Sequence, residues 1–122
     1  MPGSILIVDD NPQIRRLLRS FLEAVPGCRV CGEAEDGLEA IEKAGELRPD
    51  LVILDLSMPR MNGLEAARVL RSKRTEMPIL LFTLYADLIQ PEEAEAAGIT
   101  AVFSKSNLAG LAKQAETLLQ SV

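Results

Sequence analysis

The feature that most constrains the fold of this chain is a set of short aliphatic runs that do not alternate with polar residues. Examples are "ILIV" at Ile5–Val8, "LVIL" at Leu51–Leu54 and "ILLF" at Ile79–Phe82. A strand that is apolar at every position must be covered on both faces, as in parallel sheets. Helical patterns separate these runs along the chain. The sequence therefore predicts an α/β fold, in which a doubly wound parallel sheet carries helices on both faces.

Five rounds of strand and helix fit within 122 residues, which we treat as a single domain, residues 1–122. No repeat, low-complexity tract or internal linker interrupts them. The helices have clear boundaries: Asn11 and Pro12 are a favoured N-cap and first position, and Asn62 with Glu65 resembles a capping box. The predicted strands are Ser4–Val8, Cys28–Ala34, Leu51–Leu54, Pro78–Phe82 and Ala101–Phe103. The predicted helices begin at Pro12, Gly37, Asn62, Pro91 and Asn107 and end near Val25, Leu47, Lys73, Ala97 and Gln120.

Composition excludes several functional classes. The net charge of −5 and pI near 4.8 argue against binding of nucleic acid or anionic membrane by this domain itself. The chain has no histidine, which removes Ser-His-Asp and Cys-His catalysis and imidazole metal sites. No apolar run is long enough to span a membrane, and the first residues lack a signal-peptide pattern. We therefore expect a soluble, cytoplasmic protein.

The two cysteines, Cys28 and Cys31, form a C-x-x-C pattern that can indicate zinc or redox chemistry. They lie in a predicted strand, where a spacing of three residues directs their side chains to opposite faces. A zinc site would also need further thiolate or imidazole ligands, and the chain has none. We expect no functional pair here.

Polar residues follow the predicted strands at the points where they end. Asp9 and Asp10 follow the first strand, Asp55 the third and Thr83 the fourth, and Lys105 lies just past the fifth. In a parallel sheet these carboxyl ends share one edge, where ligands bind. Any one of these residues alone would be an ordinary turn or surface residue. Together they predict a site.

The chemistry of such a site is restricted by its charge. Three carboxylates repel one another, and Lys105 offsets only one of them, so a hard divalent cation such as Mg²⁺ is the natural partner. The metal and the lysine would together accept a phosphoryl group, to which Thr83 could donate a hydrogen bond. Asp55 could then attack phosphorus and form an acyl phosphate.

Several separated motifs carry a resemblance to a known family. They are "ILIVDDN" at Ile5–Asn11, "EAEDGLEA" at Glu33–Ala40, "PDLVILDLSMPRMNGLE" at Pro49–Glu65, Thr83 after "ILLF", "AAG" at Ala96–Gly98, and Lys105. On these residues the whole chain resembles the receiver domain of bacterial two-component response regulators. It looks most like the subfamily in which the receiver precedes a helix-turn-helix DNA-binding domain.

The resemblance implies specific roles and partners. Asp55 would accept phosphate from the histidine of a sensor histidine kinase, and Thr83 and Lys105 would hold the phosphoryl oxygens. Asp10 and Asp55 would bind Mg²⁺ through carboxylates, Ser57 through its backbone carbonyl, and Asp9 mostly through water. The only enzymatic chemistry would be self-phosphorylation and autodephosphorylation. The strand order would be the flavodoxin-like 2-1-3-4-5.

The resemblance also implies an output that lies partly outside this chain. Phosphorylation in the family repacks the face made by the fourth helix, fifth strand and fifth helix, which alters dimerisation or partner binding. Contact with DNA would come only through a separate effector domain. Sequence leaves open whether the chain is a single-domain regulator or the excised receiver of a longer one, and the subfamily likeness favours the second. A homodimer through the first and last helices also stays open.

Four positions depart from the family pattern. Ser106 replaces the usual proline after the lysine, Val102 stands at the usual aromatic switch position, and the bulky Leu84 replaces a small residue after Thr83. Pro91 predicts a short fourth helix after a longer loop over residues 84–90. Tyr85 or Phe103 could take over the aromatic role. We also hypothesise that Leu84 and Tyr85 partly cover Asp55.

Three alternative functions differ in the residues that they require. A phosphohydrolase with an aspartyl nucleophile needs a second acid two residues after it, where this chain has Ser57. A nucleotide-binding domain needs a glycine-rich phosphate loop, which the sequence lacks. A receiver-like binding module regulated without phosphorylation agrees with the altered switch positions but not with the complete acidic cluster.

Overall fold

The computed structural model describes residues 3–120, which form five strands and five helices in strict alternation. The strands are β1 (Gly3–Val8), β2 (Cys28–Ala34), β3 (Leu51–Leu54), β4 (Ile79–Thr83) and β5 (Ala101–Ser104). The helices are α1 (Pro12–Glu23), α2 (Gly37–Leu47), α3 (Gly63–Lys73), α4 (Pro91–Ala96) and α5 (Leu108–Leu119). None of the helices in residues 3–120 has the length and apolar character needed to cross a bilayer.

All neighbouring strands pair in parallel, in the order β2-β1-β3-β4-β5. The central strand is β3, and β1 lies beside it, with Ile5 paired to Leu51 and Val8 to Leu54. This order and the doubly wound architecture confirm the fold expected from sequence. The carboxyl ends of β1, β3 and β4 therefore meet at one edge of the sheet.

Two apolar layers explain why the strands are aliphatic at every position. On one face, Ile5 and Ile7 pack in a cluster with Leu18 and Leu22 of α1 and with residues of α5. On the other face, Leu6 belongs to a cluster with residues of α2, α3 and α4. Each fully buried aliphatic side chain contributes about 1.5–3 kcal/mol to folding. Burial on both faces thus holds β1 and β3 rigidly, and their ends can position side chains.

The helix starts follow the predicted caps. Asn11 accepts a hydrogen bond from the Gln13 amide, and Pro12 is the first residue of α1. Asn62 and Glu65 form a complete capping box at the start of α3. Both predictions are confirmed, and the helix boundaries agree with expectation within two residues.

The segment after β4 differs slightly from expectation. Thr83 is the last residue of β4 rather than the residue after it, and a single 3₁₀ turn at Ala86–Leu88 interrupts the predicted loop. The following helix is short and starts at Pro91, as predicted. Leu84 is 72% exposed, so most of its surface faces solvent. The covering of Asp55 by Leu84 and Tyr85 therefore stays a hypothesis, which phosphorylation and dephosphorylation rates of Leu84→Ala would test.

Both cysteines are free thiols. Cys28 is buried in the cluster with α1 and α5, whereas Cys31 lies at a break in the β1–β2 register, between the pairs Ile5–Val30 and Leu6–Gly32. Burial raises the pKa of both thiols, which favours their protonated form.

Candidate functional site

The acidic residues predicted at the strand ends meet in one place. The Asp55 amide donates to the Val8 carbonyl at 2.9 Å, so the ends of β3 and β1 are tied together. Asp9, Asp10 and Asp55 each offer a carboxylate oxygen, and these three oxygens lie within 4.8 Å of one another. Asp9 is 1% exposed and Asp55 5% exposed, while Asp10 faces solvent. The cluster is thus an acidic pocket with one open side.

Lys105 supplies the positive charge of the pocket. Its ammonium nitrogen lies 2.8 Å from Oδ2 of Asp9 and 3.3 Å from Oδ2 of Asp55. The Lys105 amide donates to the Thr83 carbonyl at 3.0 Å, which fixes the backbone just after β5. Asp9, Asp55 and Lys105, which the sequence places after three different strands, are therefore in contact.

The electrostatics of the pocket follow from burial and crowding. Burial, with the neighbouring Asp9 carboxylate, raises the pKa of Asp55 to about 6, and Lys105 offsets only part of this effect. Burial alone would lower the pKa of the Lys105 ammonium, but its contacts with Asp9 and Asp55 outweigh burial and raise that pKa. The pocket thus has more negative charge than its single lysine can neutralise.

The two carboxylate oxygens of Asp9 have different partners. Oδ1 of Asp9 accepts a hydrogen bond from the Asn11 amide at 2.9 Å. Oδ2 of Asp9 is buried and has the Lys105 ammonium as its partner. Since one ammonium cannot neutralise three neighbouring carboxylates, the cluster suits a hard cation with oxygen ligands.

Thr83 and Ser57 occupy different surroundings. Thr83 is fully buried at the end of β4, and its hydroxyl oxygen accepts a hydrogen bond from the Tyr85 amide at 3.0 Å. The hydroxyl proton stays available for donation. Ser57 lies exposed on the loop that follows Asp55.

That loop, Leu56–Asn62, is held close to the pocket by glycines. A Cβ atom on Gly63 would clash with the carbonyl oxygen of Asp55, so only glycine lets α3 start this near β3. The Gly63 amide donates to the Leu56 carbonyl at 2.8 Å, and the Gly37 amide of α2 donates to the Met61 carbonyl at 3.2 Å. The first residues of α2 and α3 thus both hydrogen-bond to the backbone of the loop.

Sequence reasoning missed two arginines that support the pocket. Arg15 donates from Nη1 to the Asp9 carbonyl at 2.6 Å and from Nε to Glu33 at 3.0 Å. Arg60 forms an ion pair with Asp36, the N-cap of α2. The sequence "EDG" before an apolar helical pattern does signal an N-cap at Asp36, but nothing in it names Arg60 as the partner.

A second concavity lies elsewhere and does not join this site. A groove of about 1050 Å³ is lined by Arg71, Arg74 and the residues just before β4, Met77 and Pro78. The guanidinium groups there donate to the carbonyls of Gly98 and Pro49, at helix and strand ends. The two arginines that line the groove thus donate hydrogen bonds to backbone carbonyls, which is a structural role and does not require a ligand.

Comparison with known proteins identifies the group to which this pocket belongs. Residues 5–116 match the family model described as response regulator receiver domain. The chain belongs to this family. The acidic pocket at the ends of β1 and β3, with Lys105 beside it, is thus the pocket of a receiver domain.

Curated relatives of this receiver domain have different whole-protein names. A protein-glutamate methylesterase/protein-glutamine glutaminase of Pyrococcus horikoshii is 47% identical over 79 residues, which are 65% of this chain and 21% of that protein. The nitrate/nitrite response regulator protein NarL of Escherichia coli K12 is 42% identical over 83 residues, 68% of this chain and 38% of that protein. The receiver domain thus spans well under half the length of these curated relatives.

Solved structures agree over almost the whole chain. A LuxR-family two-component response regulator from Aurantimonas sp. SI85-9A1 has a TM-score of 0.89 at 33% identity, covering 99% of this chain and 87% of that one. The response regulator TrrA from Thermotoga maritima, solved in complex with Mg²⁺-BeF, has a TM-score of 0.85 at 35% identity, covering 95% of this chain and 98% of that one. The response regulator domain of Thermotoga maritima CheB has a TM-score of 0.83 at 27% identity, covering 99% and 96%.

Proposed function

We propose that this receiver domain accepts a phosphoryl group on Asp55 from the phosphohistidine of a sensor histidine kinase. The observation that carries the proposal is the position of Asp55. Its carboxylate is nearly buried at the end of a central strand, with Lys105 Nζ at 3.3 Å and Asp9 and Asp10 alongside. A carboxylate in such a pocket serves as a nucleophile toward phosphorus.

The transfer replaces the bond between phosphorus and nitrogen in the donor with a bond between phosphorus and an oxygen of Asp55. An oxygen of ionised Asp55 attacks phosphorus as the bond between phosphorus and the donor imidazole nitrogen breaks, and the imidazole leaves with the electron pair. Lys105 lies where it can pair with a phosphoryl oxygen, and the Thr83 hydroxyl proton can be donated to another. With a pKa near 6, Asp55 is mostly ionised at neutral pH.

The donor set supports Mg²⁺ as the cofactor. Carboxylates of Asp9, Asp10 and Asp55 and the backbone carbonyl of Ser57 would hold it, and the close approach of three carboxylate oxygens fits that role. When bound, Mg²⁺ neutralises charge that develops on the phosphoryl oxygens. The relative solved with Mg²⁺-BeF supports the assignment.

The output is proposed to lie in a further domain. The LuxR-family and NarL relatives support a longer cytoplasmic regulator whose separate effector domain contacts DNA, with this domain changing dimerisation or partner contacts when phosphorylated. The matches to methylesterases cover about a fifth of those proteins, so the esterase activity in their name is not assigned to this domain. We propose that its own chemistry is limited to self-phosphorylation and autodephosphorylation.

Intact-mass measurement tests the acceptor. The protein is incubated with Mg²⁺ and acetyl phosphate beside Asp55→Asn and a matched control, Asp87→Asn, which changes an exposed aspartate after β4. We expect one added phosphate on the wild type and on Asp87→Asn, and none on Asp55→Asn. Equal phosphate on Asp55→Asn would reject the acceptor. No added mass on any protein would favour a receiver that works without phosphorylation.

A further inference from the structure

In the loop Leu56–Asn62, Asn62 caps α3, and among residues 56–61 only Arg60 has a side chain that hydrogen-bonds to another element of the described chain. Its Nε and Nη2 donate to Oδ2 of Asp36 at 2.9 and 2.6 Å. Asp36 precedes α2 and lies 24 residues away in sequence. The pair therefore links the loop that follows Asp55 to a different helix.

The Asp36 carboxylate is nearly buried, and both of its oxygens accept hydrogen bonds. Its side chain is 5% exposed, whereas that of Arg60 is 60% exposed. Oδ1 of Asp36 accepts from the Glu39 amide at 2.9 Å as the N-cap of α2. This hydrogen bond and Arg60 hold the pKa of Asp36 below its usual range. Because the N-cap hydrogen bond fixes the orientation of the ionised Asp36 carboxylate, its ion pair with Arg60 also restricts the position of the Arg60 side chain.

Arg60 adopts a backbone conformation that a residue with a side chain ordinarily avoids. Its φ is +67°, in the left-handed region that favours glycine. In this conformation two donors of its guanidinium group reach one oxygen of Asp36, Oδ2. Beside it, the Met61 carbonyl accepts from the Gly37 amide at 3.2 Å, and a Cβ atom on Gly37 would come within 2.6 Å of that oxygen. The loop thus sits directly against the start of α2.

Ser57 depends on this arrangement. It is exposed three residues before Arg60, and within the described chain its side chain makes no hydrogen bond that would fix it. Leu56, Met58 and Met61 pack partly against the core, but apolar contacts do not set the direction of a carbonyl. The backbone of Ser57 therefore lies between two attachments, the hydrogen bond from the Gly63 amide to the Leu56 carbonyl and the Arg60–Asp36 pair.

We propose that Arg60 is a positioning residue for the metal: clamped by Asp36, it holds the loop so that the Ser57 carbonyl faces the acidic pocket, and it thereby raises Mg²⁺ affinity. The inference rests on the Mg²⁺ site proposed above. Neither residue touches the metal, and the pair acts through the loop backbone. Partners of this kind typically change metal affinity by about 10- to 100-fold when removed.

A purely electrostatic effect of Arg60 and Asp36 on Mg²⁺ affinity can be distinguished from an effect on the position of the loop. Arg60 is a cation, so its removal near a cation site would tighten Mg²⁺ binding if charge alone mattered. The loss of the Asp36 charge would weaken binding by the same reasoning. The clamp instead predicts that both changes weaken binding, and that the double change is no worse than either single one.

The experiment measures Mg²⁺ affinity by isothermal titration calorimetry and, separately, unfolding temperature in EDTA. The variants are Arg60→Ala, Asp36→Asn, their combination, and Arg60→Lys. Asparagine keeps the N-cap acceptor of α2 while removing the charge. Arg68→Ala is the charge-matched control, because Arg68 is exposed on α3 and forms no ion pair with any of residues 3–120. We expect a Kd about 10-fold higher for Arg60→Ala, Asp36→Asn and the double variant. Arg60→Lys should lie between these and the wild type, and Arg68→Ala should match the wild type.

The outcomes separate the inference from the proposed function. Unchanged Mg²⁺ affinity with a lower unfolding temperature would show that the pair only stabilises the fold, and the inference would be overturned. Tighter binding by Arg60→Ala, or additive losses in the double variant, would overturn it as well. Failure of the wild type to bind Mg²⁺ would instead reject the proposed metal site, and the inference with it.

Discussion

The ammonium nitrogen of Lys105 lies 3.3 Å from Oδ2 of Asp55, although 50 residues separate them in sequence. The same nitrogen is 2.8 Å from Asp9. One cation thus faces two nearly buried carboxylates, and the balance of charge in this small volume governs how the receiver domain responds to protons, metal and phosphate.

Removal of Lys105 should raise the pKa of Asp55 beyond its already elevated value near 6. Lys105 is the charge that lowers this pKa, and without it only the hydrogen bond from the Leu56 amide would oppose burial and Asp9. We expect a clear rise of the Asp55 pKa in Lys105→Ala, measured from the carboxyl carbon shift of Asp55 by NMR in EDTA. Lys113→Ala, an exposed change on α5, is the control and should leave the titration unaltered. An unchanged Asp55 titration in Lys105→Ala would contradict the role given to this contact.

Asp55 should also make the metal-free domain less stable as pH rises. Its pKa is raised on folding from 3.8 to about 6, so the folded state binds the extra proton between these values. Stability from this group is therefore full below pH 3.8 and is lost as pH rises through about 6. A shift of this size corresponds to at most about 3 kcal/mol, and other titrating groups add slopes of their own.

The comparison with Asp55→Asn isolates this effect. Urea unfolding in EDTA at pH 5 and pH 7.5 should show that the variant gains stability over the wild type at the higher pH. The gain should be smaller at pH 5, where the wild-type carboxyl is largely protonated. A stability difference independent of pH would mean that the Asp55 pKa is not raised.

Gly63 should tolerate no side chain. A Cβ atom there would meet the Asp55 carbonyl oxygen, so Gly63→Ala must push α3 away from β3 or distort the backbone at the acceptor. We expect a loss of about 1–3 kcal/mol in the free energy of unfolding, together with slower phosphorylation by acetyl phosphate. Gly45→Ala is a matched control in α2, where nothing lies within 4 Å of the added atom. That change should stabilise the helix by about 0.5–1 kcal/mol, and similar effects of the two substitutions would refute the steric argument.

Much of this site could be predicted from sequence because it depends on strand ends. The runs "ILIV" and "LVIL" require burial on both faces, which requires a parallel sheet, and a parallel sheet brings Asp9 and Asp55 to one edge. Lys105 and Thr83 follow by the same reasoning, since β5 pairs with β4 and β4 with β3. Local signals also gave the helix caps at Asn11 and Asn62.

The remaining features depend on geometry that sequence does not encode locally. The pairing of Arg60 with Asp36 requires the packing of a loop against a helix that precedes it by a whole strand. The left-handed conformation of Arg60 has no signal, because the residue is neither glycine nor asparagine. The magnitude of the Asp55 pKa shift likewise depends on the depth of burial, which only the assembled fold defines.

Thr83 provides a test of how phosphorylation is transmitted without an aromatic residue at Val102. Its hydroxyl oxygen accepts from the Tyr85 amide at 3.0 Å, so movement of the hydroxyl toward a phosphoryl group must strain or break this bond. The change would pass directly to the exposed segment Leu84–Leu88. In Thr83→Val, which keeps the shape but removes the hydroxyl, we expect Asp55 still to bind beryllofluoride with Mg²⁺. The amide shifts of Tyr85 and Leu88 should then change much less than in the wild type, whereas Thr83→Ser should retain the response.

Thr100→Val is the matched control for this experiment. The Thr100 hydroxyl oxygen accepts from the Ile79 amide at 3.1 Å, the same kind of bond at the opposite end of β4, far from the acidic pocket. Both valine variants should lose about 0.5–1.5 kcal/mol of stability from the missing hydrogen bond. Only Thr83→Val should lose the response at Tyr85 and Leu88, because of these two threonines only Thr83 lies at the carboxyl end of β4, the edge of the sheet that carries Asp55. A full response in Thr83→Val would show that the signal leaves the pocket by another route.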